Sequence, residues 1–291
     1  MNIARYWGVA EAQVQGPDRA YLLTIRRGSD ISPEDAQQRA EEAAAEIAAR
    51  CETGQEPPDS YAYSTRQLPE PILEEIHNAE GERVGAITIN RFGCEVLNTS
   101  RLAFLDIDLM PSKKRTGGLL SRLFGSAPTP SMESTAETAV EGAISQLRSW
   151  VQSKPGSGVR VYRTSAGLRY LFVRPQMNPN DALHEPVYEE LGCDPLYRRL
   201  CVAQECFRAR LTAKPWRIGV PTPESWRVDL VEERPDYYDR WHKEYLSKAG
   251  EYAACRFLEG CGEQTSPDET TDNLIRVHDE RSGAGSGLAL A

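Results

Sequence analysis

Two aspartates stand two residues apart in an otherwise apolar run, Leu102-Ala103-Phe104-Leu105-Asp106-Ile107-Asp108-Leu109. The run has the composition of a buried strand. Side chains alternate across a strand, so Asp106 and Asp108 share one face. Two like charges on a half-buried surface repel each other and resist desolvation, which raises the pKa of at least one unless something positive sits between them. Hard Mg²⁺ or Mn²⁺ suits carboxylate oxygen, and the pair therefore predicts metal-assisted phosphoryl chemistry.

Two further constellations fit that chemistry. Tyr162-Arg163-Thr164-Ser165-Ala166-Gly167-Leu168-Arg169 reads as a strand, a small-residue turn and a second strand bearing a cation. A Ser/Gly turn can expose backbone N–H groups to an anion, and an arginine beside it offers a fork for phosphate. Taken alone, Ser165–Gly167 also suits an ordinary hairpin turn. Further on, Cys193-Asp194-Pro195-Leu196-Tyr197 precedes Phe207-Arg208-Ala209-Arg210-Leu211 and Lys214-Pro215-Trp216-Arg217. Between Arg198 and Arg217 six cations face a single acid, Glu205. Alternation puts Arg208 and Arg210 on one strand face, and the segment forms the concentrated positive patch that a polyphosphate or nucleic-acid backbone needs. Trp216, Trp226 and Trp241 are read as core residues. His77, His184, His242 and His278 stand in no triad-like spacing and receive no chemistry.

Elements that could position these residues are readable nearby. Ala20–Arg27 is a strand, and Ser32-Pro33-Glu34-Asp35 opens a helix with Ser32 as N-cap and an apolar stripe at Ala36, Ala40, Ala43, Ile47 and Cys51. A proline-rich loop (Glu56–Asp59) and a short helix around Pro71–His77 follow. Gly85–Arg91, a Phe92-Gly93 turn and Cys94–Asn98 then lead into the Asp106 strand. A basic loop, Lys113-Lys114-Arg115, precedes an amphipathic helix over about Thr135–Gln152. Val159–Arg163 and Leu168–Val173 form a hairpin, and helices occupy parts of Asp181–Gln204 and Asp236–Leu258. The composition beyond about Gly262 predicts a poorly ordered tail.

Bulk composition narrows the class. The 291 residues are 40% hydrophobic and 26% charged, ordinary for a globular chain with a sizeable core. Seven scattered cysteines without C-x-x-C spacing argue against a disulfide framework or a zinc site and for a reducing, cytoplasmic setting. No apolar window approaches a membrane span, and the N-terminus carries no apolar targeting segment. A net charge of −9 excludes nucleic-acid coating by bulk electrostatics and leaves only a local patch for phosphate.

In their order along the chain, the D-x-D strand, the Ser/Gly turn with its basic strand and the later aspartate with an F-R-x-R strand resemble the catalytic core of the archaeo-eukaryotic primase superfamily. The resemblance covers about residues 85–217. It implies that Asp106, Asp108 and Asp194 hold two Mg²⁺ or Mn²⁺ ions. It also implies that Ser165, Gly167, Arg169, Arg208, Arg210 and Lys214 bind the nucleotide. The family's histidine in the second motif is absent, and Arg169 stands nearest to its place. The expected fold is α+β, a mixed or antiparallel central sheet flanked by helices, in two α/β units with a cleft between them. Residues 1–84 are expected as an N-terminal α/β portion, 85–260 as the catalytic portion and 261–291 as the tail. The expected activity is nucleotidyl transfer from nucleoside triphosphates on a single-stranded template, in DNA replication, with any helicase encoded separately because no P-loop occurs here. Two alternatives stay open: a catalytically silent relative that binds nucleotide or nucleic acid, and a metal-dependent phosphohydrolase. The phosphatases that open on D-x-D want a small polar turn after it, which Leu109-Met110-Pro111 does not supply.

Overall fold

A Ser32 hydroxyl, a proline and two acids start the first long helix as the sequence predicts, and the elements around it follow in quick succession. In a computed structural model, which describes residues 1–15, 20–55, 67–109 and 132–291, the chain opens with β1 (Tyr6–Gln15) and β2 (Ala20–Ser29), an antiparallel hairpin covered by α1 (Pro33–Glu52). Ser32 accepts a hydrogen bond from the Asp35 amide, and Ala36, Ala40, Ala44 and Cys51 face inward. Next come β3 (Ile72–His77), β4 (Arg83–Ile89), β5 (Glu95–Thr99) and β6 (Ala103–Asp108). They are followed by α2 (Met132–Ser153), β7 (Gly158–Thr164) and β8 (Gly167–Arg174). Two short helices, α3 (Glu185–Glu190) and α4 (Pro195–Gln204), precede β9 (Phe207–Arg210). The chain ends in α5 (Val228–Glu233), α6 (Pro235–Ala249), β10 (Tyr252–Ala253), β11 (Cys255–Gly262), α7 (Glu269–Ser282) and β12 (Ala289–Leu290).

The fold is α+β. Two four-stranded antiparallel sheets, ordered β3-β4-β5-β9 and β11-β7-β8-β6, share one core. Leu97 and Phe207 come to it from the first sheet, Phe104, Leu105 and Phe172 from the second, and Leu147 and Leu274 from α2 and α7. Facing apolar strands bury the bulk of the surface that stabilises the chain, at roughly 25 cal/mol per Å² of apolar area. A second cluster of Trp226, Tyr238, Trp241 and Tyr245 anchors α6 beside Ile89. All seven cysteines are buried free thiols. No helix among the described residues is long and apolar enough to cross a membrane.

Two expectations are corrected. The segment around Pro71–His77 is the edge strand β3, not a helix, because its backbone finds a ladder on β4 and Glu75 meets Arg5 and Arg83. As expected, a helix fills part of Asp236–Leu258; it ends at Ala249, and Cys255–Gly262 pairs with β7. The supposed tail holds α7, capped by Asp268 at its start and by Gly283 in the left-handed region (φ 66°) at its end. Its buried stripe is Leu274, His278 and Ser282, so polar side chains perform the packing and the low hydrophobicity misleads. The boundary expected at residues 84 and 85 falls inside β4, which pairs with β3 on one side and β5 on the other. The Lys113–Arg115 and Glu56–Asp59 loops lie outside the described residues.

One ion pair ties β9 into its sheet from behind. Arg208 and Glu70 are each about 5% exposed or less; the guanidinium donates to Glu70 at 2.7 Å, and the Thr88 hydroxyl donates to the same carboxylate at 2.6 Å. Removing one partner of a buried pair leaves the other charge uncompensated, at a cost of about 3–5 kcal/mol. Glu70→Ala is expected to lower unfolding free energy by that order in urea titration, whereas Glu280→Ala, which breaks the solvent-exposed Arg276–Glu280 pair on α7, shifts the midpoint little. Equal shifts for the two variants would contradict this account.

Candidate functional site

The D-x-D strand sits where the two sheets meet. β6 is an edge strand of the second sheet and β9 an edge strand of the first. The Tyr197 hydroxyl of α4 lies between them, 3.1 Å from the Phe104 carbonyl and 3.0 Å from that of Arg208. At the mouth of this seam the Asp194 amide donates to the Asp106 carbonyl at 3.0 Å. The third aspartate, remote in sequence, therefore lands beside the first.

Each aspartate is held differently. Asp106 stands opposite Arg169 in the β6–β8 ladder and accepts from its Nε at 3.0 Å. Asp108 is exposed and lies opposite Gly167. Partial burial, then the charges of Asp194 and Asp106, push its carboxyl above the usual aspartate range. The Asp194 carboxylate caps α4 through the amides of Leu196 and Tyr197. Among the described residues no three His, Cys, Asp or Glu side chains are grouped to hold a metal ion. What the structure assembles is a two-carboxylate face with the charge of a third behind it.

Facing these acids is a cluster of cations. A short 3-10 turn at Pro215–Arg217 follows β9 and carries Lys214 and Arg217 on either side of Trp216. Burial lowers the proton affinity of Arg210, Lys214 and Arg217 alike. Arg210 and Lys214 are lowered further by neighbouring cations, while Asp108 draws Arg217 back up and Asp106 does the same for Arg210 and Lys214. Among the described residues Asp108 forms no ion pair within 4.0 Å with Lys214 or Arg217. Like charges are thus crowded on both sides of a gap, an arrangement relieved by a cation on one side and an anion on the other. Two surface grooves of about 630 and 300 Å³ lie elsewhere, one between α2 and β11 and one beside Glu70 and Glu75. The aspartates line neither.

The residues expected to bind nucleotide divide into two groups. Arg210 and Lys214 reach the site. Arg208 does not, because its guanidinium is turned away and held by Glu70. Arg169 is only 2% exposed. Burial works against its charge, and Asp106 restores it. Its Nη1 donates to the Arg210 carbonyl at 3.0 Å and lies 3.3 Å from His278 Nε2. Gly167 leaves no gap for phosphate: a Cβ there would come within 1.9 Å of the Ile107 carbonyl oxygen, so the missing side chain lets β6 and β8 close together. The Ser165 turn is fastened by the Gly167 amide on the Thr164 hydroxyl (3.1 Å) and by Leu109 on Ala166 (3.2 Å). The patch expected from Arg198 to Arg217 is divided as well, since Arg198 pairs with Glu185 and stacks over Tyr188.

Sequence reasoning missed His278. On α7 it lies fully buried, with Nδ1 2.9 Å from Asp279 and Nε2 facing both Arg169 and the Cys255 sulfur, the latter at 3.9 Å. Burial works against a charge on the ring, and Asp279 and Cys255 together raise its proton affinity above the usual imidazole range. Asp279 in turn accepts from Tyr162 and Arg160, both at 2.7 Å. Cys255, His278 and Asp279 follow one another like a nucleophile, a base and its orienter. With Cys255 and His278 both fully buried, no substrate reaches the thiol. The sole sequence signal was the adjacent His278-Asp279, and an adjacent pair is common on helices.

No protein-family model matches the chain, and neither a curated protein nor a solved structure matches it.

The site makes opposite stability predictions for its two strand aspartates. Asp106→Asn strips Arg169 of its counter-charge and is expected to destabilise the protein by about 3–5 kcal/mol. Asp108→Asn removes a carboxylate that its neighbours repel, and is expected to be neutral or stabilising at neutral pH. Because the folded-state pKa of Asp108 is raised, its unfavourable charge is present above that pKa and gone below the ordinary aspartate range. The advantage of Asp108→Asn should therefore fade on acidification. Urea titrations of both variants across pH check this, and an Asp108→Asn variant as unstable as Asp106→Asn would refute it.

Proposed function

We propose that the protein is a metal-dependent nucleotidyltransferase of primase type, acting on nucleoside triphosphates with a single-stranded template. One observation carries the reading: a carboxylate face and a cation cluster, each internally repelled, meet across one seam. A magnesium or manganese nucleoside triphosphate supplies both missing charges in one ligand.

The donor chemistry fits a hard divalent cation at Asp106 and Asp108, both oxygen ligands on one strand face, with phosphate oxygens and water completing the shell, as is usual for Mg²⁺. Such an ion neutralises charge on the phosphates and lowers the pKa of an attacking hydroxyl. Arg169 fixes the Asp106 carboxylate in one rotamer. Lys214 and Arg217 attract the triphosphate, and Arg210 adds positive potential from beneath. Asp194 raises the negative potential at Asp108, which strengthens its hold on a cation.

A second reading, a silent nucleotide-binding relative, is favoured by two of these contacts. Asp106 is paired with Arg169, and Asp194 is committed to the α4 cap.

Labelled nucleotides, a single-stranded template and Mn²⁺ separate the readings. Extended product is expected from the wild type. A fall on the order of 10³-fold or more is expected for Asp108→Asn, which keeps the fold. Nucleotide retained without extension supports the silent relative, and released inorganic phosphate without extension supports a phosphohydrolase.

A further inference from the structure

We propose that Trp216 and Phe92 form a stacking platform for unpaired bases of a single nucleic-acid strand whose phosphates run along Lys214 and Arg91. The inference deepens the nucleotidyl-transfer reading and rests on it for the strand's destination.

Trp216 is out of character for this chain. Trp150, Trp226 and Trp241 are buried, but Trp216 is 49% exposed, which corrects its assignment to the core. A lone exposed aromatic means little. This one has a partner, Phe92, set edge-on with the ring centroids 5.3 Å apart. Cations lie over both rings: Lys214 Nζ is 5.5 Å from the Trp216 ring and the Arg91 guanidinium 4.5 Å from that of Phe92. Aromatic faces interleaved with cations are what single-strand recognition uses, the rings taking bases and the charges taking backbone.

Both rings are held on stiff supports. Pro215 is buried, and its carbonyl accepts from the amides of Ile218 and Val220 at 3.1 and 3.0 Å. Phe92 stands in the β4–β5 turn, where its amide donates to Asn90 Oδ1 at 2.9 Å. The next residue, Gly93, has a φ of 83° and abuts Trp241, so no other residue type fits there without strain. Rings already fixed in place lose little entropy when a base stacks on them.

The charges choose a strand over a free nucleotide. A lone triphosphate would be satisfied by Arg210, Lys214 and Arg217 on the aspartate side. The Arg91 guanidinium lies over Phe92 instead, and a strand's backbone is long enough to pass both rings. Lys214 and Arg217 bracket Trp216 and feel the fields of Asp106 and Asp108 respectively, so a strand crossing the platform is delivered to the carboxylates.

Fluorescence anisotropy of a labelled mixed-sequence oligonucleotide, titrated with the full chain at low salt, tests the proposal. Trp216→Ala is expected to weaken binding about tenfold or more, Trp216→Phe to retain most of it, and Phe92→Ala to weaken it as well. Lys214→Gln should lower the salt slope by about one, while Trp216→Ala leaves that slope unchanged. Wild-type affinity in Trp216→Ala, or no binding by the wild type, overturns the platform. A tenfold loss for a nucleoside triphosphate alone, with the oligonucleotide unaffected, also overturns it and assigns the ring to the nucleotide. Trp216-dependent binding without incorporation of any nucleotide leaves the platform standing and overturns the transfer reading. Incorporation together with unimpaired template binding by Trp216→Ala does the reverse.

Discussion

A single buried guanidinium decides how the two sheets meet. Arg169 sits in the middle of β8, a central strand, at 2% exposure. It reaches Asp106 on the neighbouring strand, the Arg210 carbonyl on the opposite sheet and His278 on the C-terminal helix. A charge that deep is tolerated only when it is paired and hydrogen-bonded, since an uncompensated buried ion costs several kcal/mol. The β6–β9 seam, the register of β6 on β8 and the seating of α7 are therefore mutually dependent. Displacing any one of them strands the guanidinium. The Asp279 contacts with Tyr162 and Arg160 extend the same dependence to β7, so α7 serves as a strut between the site and the strand beyond β8.

This arrangement gives the strand aspartates different duties. Asp106 is immobilised by an ion pair, and its position is set by core packing. Asp108 is exposed and repelled by both neighbours, and its position is set by whatever binds. The pairing resembles the general separation between a group that defines where a ligand sits and a group whose unfavourable free-state energy is released on binding. The cation side repeats the division: Arg210 is fixed by its contact with the Thr212 carbonyl, while Lys214 and Arg217 are only half-buried.

Much of this was legible because it depends on local rules. Alternation placed Asp106 and Asp108 on one face, and small-residue turns marked the β4–β5 and β7–β8 hairpins. Ser32 and Pro33 announced α1. The failures share a physical cause, which is that polar side chains performed apolar duties. Arg169 and Arg208 read as ligand-binding cations but serve as core cross-links, because their carboxylate partners, Asp106 and Glu70, come from other strands and segments. The C-terminal residues read as a tail because His278 and Ser282 do the packing that a periodicity search credits only to Leu274. Gly167 read as a nucleotide-binding position and is room for a neighbouring backbone. Trp216 read as core because tryptophan usually is, and its exposure depends on a 3-10 turn that composition does not announce.

The turn that exposes Trp216 also explains how so acidic a chain can approach phosphate at all. With a net charge of −9 the mean field of the protein is repulsive, so attraction must be short-ranged and geometrically concentrated. Four consecutive residues, Lys214, Pro215, Trp216 and Arg217, supply two cations, a rigid bend and a stacking face within one helical turn. The same bend sets those cations against the aspartate edge, where mutual screening lets opposite charges coexist without collapsing into ion pairs. Under the proposed function, an anion that also carries a divalent cation meets attraction on both sides of the seam, whereas a bare anion meets the Asp108 carboxylate without a counter-charge. On that proposal, discrimination between a metal-complexed phosphate and a free one rests on this asymmetry.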